Sequence, residues 1–343
     1  MAANPKIEFF RIKLKAKSKK NEKTFRDFAI EELEGDKEIG NDDAFKLCFN
    51  HFISKIQTGH SKNAKHKKTI TIISNPETNP YYSLKPSLRI KENIISGVLN
   101  GGPYDKDAIV SSIADKSDNS KLGRDKSVLL PYYVFVYLPS DHYEGLIAIH
   151  SNSIEETVTH ILKKYISNLF SGSNFFQAKL YPYVPQSFQD EFKDGALIKN
   201  MTFSSTIIDN TTPSNKPINN IINEYDINIQ ITPKKTQVSI LDSTKLLNFI
   251  NKMGFTKNDN KDVALKDFKT KKFIAKNQVT KKEKVFEWNS KDHSFQPTIY
   301  LEGRVNLNDG TPDFKELDQF CTNIFEEEIM SELRPDLNVS KFN

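Results

Sequence analysis

Cysteine is nearly absent, with two in 343 residues, which excludes a disulfide-stapled scaffold and a zinc site built on thiolates. Glycine is scarce at 13, which argues against a phosphate-cradling, Gly-rich architecture. No uninterrupted apolar run approaches the ~18 residues that a membrane-spanning helix needs. The opening, MAANPKIEFFRIKLK, has no apolar core followed by a small-residue cleavage site, so the expectation is a cytoplasmic protein without a membrane span. Asn200-Met201-Thr202, Asn210-Thr211-Thr212 and Asn338-Val339-Ser340 fit the glycosylation pattern, and they read as accidents of an Asn-rich chain. What is present is enough to fold. Hydrophobic residues make up 37% and aromatics 11%, with 24 Phe and 12 Tyr, so wholesale disorder is excluded. The length fits one large domain or two medium ones. The Lys, Asn and Ile bias matches an AT-rich bacterial genome.

The net charge is only +5, and its distribution says more than its sum. Residues 6–26 carry Lys6, Arg11, Lys13, Lys15, Lys17, Lys19, Lys20, Lys23 and Arg26 against Glu8 and Glu22. A second cluster, at 261–284, includes Lys266, Lys269, Lys271, Lys272, Lys276, Lys281 and Lys282, and HSKNAKHKK at 60–68 is a third. Such surfaces follow phosphates, because each one neutralised releases counterions. Lysine reads charge and no base edge, so any binding is expected to be nonspecific in sequence. The basic stretches lack the interleaved aromatic rings of single-strand platforms. The last helix runs the other way, with Glu326, Glu327, Glu328 and Glu332.

Periodicity organises the chain. IEFFRIKLKA reads as an opening strand, TFRDFAIEEL as a helix stopped near Gly35, and Phe45, Cys48, Phe49, Phe52, Ile53 and Ile56 as the stripe of a second helix ended by Gly59. TITIIS is a strand. Asn100-Gly101-Gly102-Pro103 reads as a turn ending the next strand, and 105–127 as an exposed loop. VLLPYYVFVYLP (128–139) and EGLIAIHS form a hairpin. Ser153 and Glu156 then suggest a capping box opening an amphipathic helix with Ile161 and Tyr165 inward. Ser-Gly-Ser at 171–173 suggests a boundary, and 209–220 is the most linker-like stretch. Strands are expected at FFQAKLYPYVP, ALIKNMTFSSTII, YDINIQIT and PTIYLEGRVNL. A short helix capped by Ser243 is expected before the Lys-rich region, and a last helix with Thr311 as cap and Pro312 in its first turn. The sum is an α+β chain, mainly antiparallel, with an N-terminal domain at 1–170 and a C-terminal domain at 174–343.

No arrangement of residues forms an evident catalytic centre. The seven His show neither zinc-ligand spacing nor a His-Glu-x-x-His. His142 beside Asp141 reads as a polar hairpin turn, and Cys48 as a small buried hydrophobe. NLNDGTPDFKE fails as a calcium loop, because Val305 and Leu307 fall at ligand positions. One nuclease-like pattern remains: Asp292 precedes a strand carrying Glu302 and Arg304 in the places of Glu-x-Lys. Arg cannot act as the base that Lys could be.

The segment LLPYYVFVYLPSDHYEGLIAIHSNSIEETVTHILKKYISNLF resembles a module in uncharacterised bacterial proteins associated with anti-phage defence: a Tyr-Tyr strand ending in Pro, a return strand after Gly, and an amphipathic helix. With Gly97-Val98-Leu99-Asn100-Gly101-Gly102 upstream, the likeness covers 95–170. Its motifs are structural, so it implies a setting and assigns no functional residue. The leading expectation is a non-enzymatic nucleic-acid-binding component of such a system, without catalytic residues, metal or cofactor, working beside a protein partner or effector encoded nearby. Self-association is left open. The alternatives are a metal-dependent nuclease using Asp292 and Glu302, and a protein–protein scaffold docking through its acidic C-terminal helix.

Overall fold

The computed structural model describes residues 5–18, 22–105, 107–115, 117–152, 158–193, 196–209, 223–232, 254–255, 263–264, 270–277, 283–287 and 299–339. The chain is an α+β protein whose sheets are antiparallel, and it forms two compact units. The first comprises 1–185 with 298–343, and the second 186–297.

The first unit is built on a nine-stranded sheet. In chain order its strands are β1 (Lys6–Ala16), β2 (Ser61–Asn63), β3 (Lys68–Thr71), β4 (Ser87–Arg89) and β5 (Ile94–Pro103). A small hairpin of β6 (Ala108–Ser111) and β7 (Asn119–Leu122) stands apart from it. The sheet continues with β8 (Leu130–Tyr137), β9 (Glu144–Ser151) and β10 (Phe175–Tyr183). The spatial order is β10-β1-β9-β8-β5-β3-β2, with β4 on β5 and a late strand, Ile299–Tyr300, on β1.

Both faces of this sheet are covered. One carries α1 (Phe25–Glu32), α2 (Asn41–Thr58) and α3 (Thr159–Leu169), whose Phe28, Phe45, Phe52, Ile161, Leu162 and Ile166 meet Ile12, Leu99, Tyr132, Val134 and Ile149 in one core. Helix α1 begins where Thr24 and Asp27 cap each other's backbone N–H groups. The other face receives the end of the chain. There α5 (Phe314–Ile324), a π-helical turn at Phe325–Ile329 and a last turn at Met330–Leu333 bring Phe314 against His150, and Phe325 against Phe135 and Tyr137. Burial on both faces leaves no polar alternation in β8, where every residue from Tyr132 to Tyr137 is buried. Each such large side chain contributes roughly 1.5–3 kcal/mol relative to exposure.

The hairpin at 128–151 and the helix carrying Ile161 and Tyr165 inward form as their pattern predicts. Ser153 and Glu156, the 209–220 stretch except Asp209, and the helix expected after Ser243 lie outside the described residues. Five expectations are corrected. The units do not part at 171–173: β10, just beyond, pairs along β1 from Phe9 to Ala16, and the last 46 residues return to the first unit. Gly101 and Gly102 do not turn. They lie within β5, because a Cβ at Gly102 would sit 1.8 Å from the Val128 carbonyl oxygen and one at Gly101 would sit 2.8 Å from Val158. The 105–127 segment carries the β6–β7 hairpin, and its Ile109 and Ile113 are exposed. PTIYLEGRVNL is not one continuous strand: among the described residues it is extended at Ile299–Tyr300, turns at Gly303, where φ is +76°, and enters a second short strand at Leu307. The last helix is capped by Asp313, whose carboxylate accepts from the N–H groups of Lys315 and Glu316, while Thr311 and Pro312 pair back on Leu307–Asn308.

The second unit contains α4 (Gln186–Lys193) and a sheet of β11 (Ala196–Asp209), β12 (Asn223–Ile231), β15 (Thr270–Asn277) and β16 (Glu283–Glu287) in the order β12-β11-β15-β16. Between them in sequence, β13 (Gly254–Phe255) pairs with β14 (Val263–Ala264). Ile198, Met201, Phe203, Phe273 and Ala275 are buried in this unit.

Candidate nucleic-acid interface

Of the seven lysines singled out in the Lys-rich segment, Lys266, Lys269, Lys281 and Lys282 lie outside the described residues. Lys271, Lys272 and Lys276 are on β15, an inner strand. Strand alternation separates rather than gathers the segment: Phe273 and Ala275 turn inward, while Lys272 is exposed and Lys276 half-buried on the other face. That face also carries Thr202, the register partner of Lys272 on β11. On the far side of β15, Glu287 is the register partner of Lys272 and Glu283 of Lys276. Acidic positions thus stand opposite both lysines in the backbone register.

The N-terminal basic run folds differently. Along β1, Phe10, Ile12 and Leu14 enter the helix-covered core, so Arg11, Lys13 and Lys15 share the opposite face. Arg11 donates to Glu332 at 2.7 Å and Lys13 to Glu144 at 2.9 Å. Partial burial works against the Lys13 charge, but Glu144, with Tyr143 and Glu22 adding to it, more than offsets this, and the Lys13 pKa is raised. Lys17 donates to the Gly172 carbonyl. Lys15 on β1 and Lys179 on β10 have no carboxylate partner among the described residues.

Strand β10 supplies what the basic run lacks. Arg11 pairs in register with Tyr181 and Lys13 with Lys179; Lys15 then pairs with Phe176. Between the last two pairs one residue on β1, Leu14, is opposed by two on β10, Gln177 and Ala178, which is a β-bulge. Phe176 and Tyr181 are five apart in sequence, so a regular strand would point them to opposite faces. The bulge restores them to one. Phe176 is 48% exposed and Tyr181 47%. The Lys15 ammonium lies 5.1 Å and that of Lys17 5.8 Å from the centre of the Phe176 ring, and the Arg11 guanidinium lies 4.5 Å from that of Tyr183. This stretch lies at the β10 edge of the sheet, with cations and accessible aromatic faces interleaved. Sequence reasoning missed these rings because they lie some 160 residues from the lysines. The only local sign was the density of aromatics in FFQAKLYPY.

The third basic cluster forms the β2–β3 hairpin, where His66 packs edge-on against His160 of α3 with ring centres 4.3 Å apart. Desolvation, then His66 and the lysines Lys163, Lys164 and Lys65, lower the His160 pKa. The nuclease pattern does not assemble. Asp292 lies outside the described residues, Glu302 is on a turn and not a strand, and Arg304 donates to the Tyr300 carbonyl. Asp141, next to His142, is held by Arg334. Among the described residues no group of three His, Cys, Asp or Glu could hold a metal ion, and no helix is long and apolar enough to cross a membrane. The acidic last helix presses its apolar side onto its own sheet through Phe314, Leu317, Cys321 and Phe325. Of its four named glutamates, Glu332 is bonded to Arg11, while Glu326 and Glu327 are exposed.

Comparison with family models, with curated proteins and with solved structures finds no match to this chain.

Proposed function

We propose that the protein is a non-enzymatic nucleic-acid-binding component that engages phosphates through the β1–β10 face of its first unit. The observation behind this reading is Lys15 and Lys17 beside the exposed Phe176 ring, with Lys179 on the same face of β10: three cations that no carboxylate among the described residues neutralises. Lys272 and Lys276 of the second unit are a weaker candidate, given the acidic register partners beside them. The likeness of residues 95–170 to defence-associated bacterial proteins supports a setting in bacterial defence, which a helicase, nuclease or membrane effector encoded next door would strengthen.

Anisotropy titration of a labelled oligonucleotide at two salt concentrations tests the reading. Binding should weaken steeply with salt, with a logarithmic slope of roughly −0.7 per phosphate contacted on a single strand and −0.9 on a duplex. Replacing Lys15, Lys17 and Lys179 together by Ala removes up to three contacts and should flatten the slope by about 2. Lys272→Ala with Lys276→Ala should change it less. Absence of binding at low salt refutes the proposal, and a larger effect of the second pair moves the interface to the second unit.

A further inference from the structure

We infer that the β1–β10 face takes single-stranded rather than duplex nucleic acid, stacking unpaired bases on Phe176 and Tyr181 while Lys15, Lys17 and Lys179 hold the adjoining phosphates. The inference rests on the nucleic-acid reading above and narrows it to one substrate class.

The bulge carries the argument. Without it, either Phe176 or Tyr181 would turn into the core face, where Phe175, Ala178 and Leu180 already pack. With it, two large rings are left about half in water on a surface already occupied by cations. A bulge re-aims a side chain at the expense of ladder regularity, and here what it achieves is exposure of an aromatic face. The two rings stand opposite Lys15 and Arg11, four residues apart on β1, so roughly 13 Å separates them at about 3.3 Å per residue. A single strand long enough to stack a base on each ring and reach the lysines falls at the low end, roughly four nucleotides, of the sites seen on small sheet platforms. Duplex bases are paired and stacked inside the helix and cannot reach the rings, so a duplex gains only the lysines.

Two other occupants fit less well. A second copy of the chain meeting this face about a two-fold axis would set Lys15, Lys17 and Lys179 against their own counterparts. A strand added to the β10 edge would meet Pro182 and the bulge, which interrupt the row of backbone groups that pairing needs.

The test uses the full chain with labelled oligo-dT or oligo-U of roughly 12 nucleotides and, separately, a hairpin duplex. Expected are tighter binding of the single strand, and a loss of roughly 5- to 150-fold for Phe176→Leu or Tyr181→Leu. The salt slope should stay unchanged, because no cation is removed. Phe176→Tyr should retain affinity, and because both rings are half-exposed the variants should melt as the wild type does. Phe176→Tyr also keeps the test valid should a Leu variant fold poorly, because full retention with oligo-dT is expected of a stacking surface and its loss counts against one. Equal or tighter duplex binding, or Leu variants that bind single strands like the wild type, overturns this inference and leaves the phosphate reading standing. Binding of neither probe at low salt overturns both. A concentration-dependent dimer abolished by Phe176→Leu identifies a second copy as the occupant and overturns the inference.

Discussion

Arg334→Met would remove the guanidinium that fastens the end of the chain to the β8–β9 turn. Arg334 is 4% exposed. Its two Nη atoms meet the Asp141 carboxylate at 2.8 and 2.9 Å, across 193 residues of sequence, while Nε and Nη2 reach Asp336, two residues on, at 2.8–3.1 Å. The local bonds hold the last turn in shape, and the fork to Asp141 ties α5 to the sheet. Breaking a fully buried pair costs about 3–5 kcal/mol because a charge is stranded. Here the carboxylates of Asp141 and Asp336 are 50% and 54% exposed and regain water, so the loss falls near the value for one charge-assisted bond, about 2 kcal/mol. Methionine keeps much of the apolar stem, which limits the packing loss.

A local loss of about 2 kcal/mol multiplies the opening equilibrium of the docked segment roughly 30-fold. Hydrogen exchange followed by mass spectrometry reads it directly. Peptides covering 314–333 should exchange roughly 30-fold faster, while those covering α2 and α3, on the opposite side of the sheet, should hardly change. Asp141→Asn should act in the same direction and by less. The pH dependence has a definite sign: the bond from Arg334 holds the Asp336 carboxyl below its ordinary value. Its contribution is therefore present above the unfolded carboxylate range and is lost as pH falls through the folded value. In Arg334→Met that acid sensitivity should shrink. Unchanged exchange at 314–333, or an increase spread evenly over the first unit, would refute the clamp.

Two further perturbations probe the sheet. His150 is fully buried between Tyr132 and Phe314, and burial pushes its pKa from 6.5 down to about 3; Asn152 opposes that fall without meeting hydrogen-bond geometry. The unfolded chain takes up a proton below 6.5 and the native one does not, so stability should fall by roughly 1.4 kcal/mol per pH unit between 6.5 and 3. His150→Phe should remove that slope in urea titrations, and an unaltered slope would show that another group supplies it. Gly145→Ala places a Cβ 2.2 Å from the Tyr137 carbonyl oxygen, on backbone that cannot step aside. It should cost about 1–3 kcal/mol and lower the melting temperature of the first unit, whereas Gly40→Ala meets no clash and should cost less, only the poorer N-cap that Ala makes at the start of α2, about 0.5–1 kcal/mol.

Much of the fold was legible because its periodicities are strong. The stripe of α2 from Phe45 to Ile56 and the unbroken apolar run at 132–138 each admit one reading. The misread elements share a cause: the deciding contact is distant in sequence. Gly101 and Gly102 read as a turn because glycine is cheap in turns, yet it is the close approach of Val158 and Val128 that requires them. PTIYLEGRVNL has strand composition throughout, but Ile299–Tyr300 pairs beside Ile7 and Lys6, Leu307 pairs locally with Pro312, and the residues between them turn. Composition proposes a strand, and an available edge decides how much of it forms.

The β1–β10 face follows the same logic. Alternation along 6–16 correctly separates Arg11, Lys13 and Lys15 from Phe10, Ile12 and Leu14, so which face holds the cations was readable from the sequence. What shares that face was not. The same alternation rule applied to 175–183 assigns Phe176 and Tyr181 to opposite sides, and it fails there because Lys13 and Lys15 are matched by Lys179 and Phe176. One extra residue in β10 reverses the parity of everything beyond it. Deleting Gln177, the exposed residue spanned by the bulge, would remove the irregularity yet leave Phe176 four residues from Tyr181 and still opposite Lys15, so single-strand binding should survive it, whereas a further residue inserted beside Gln177 should turn one ring toward the core face and abolish that binding. A surface of cations alone would have no use for such a register, because lysines follow phosphates from either side of a ring. A surface that needs two aromatic faces on one side depends on it.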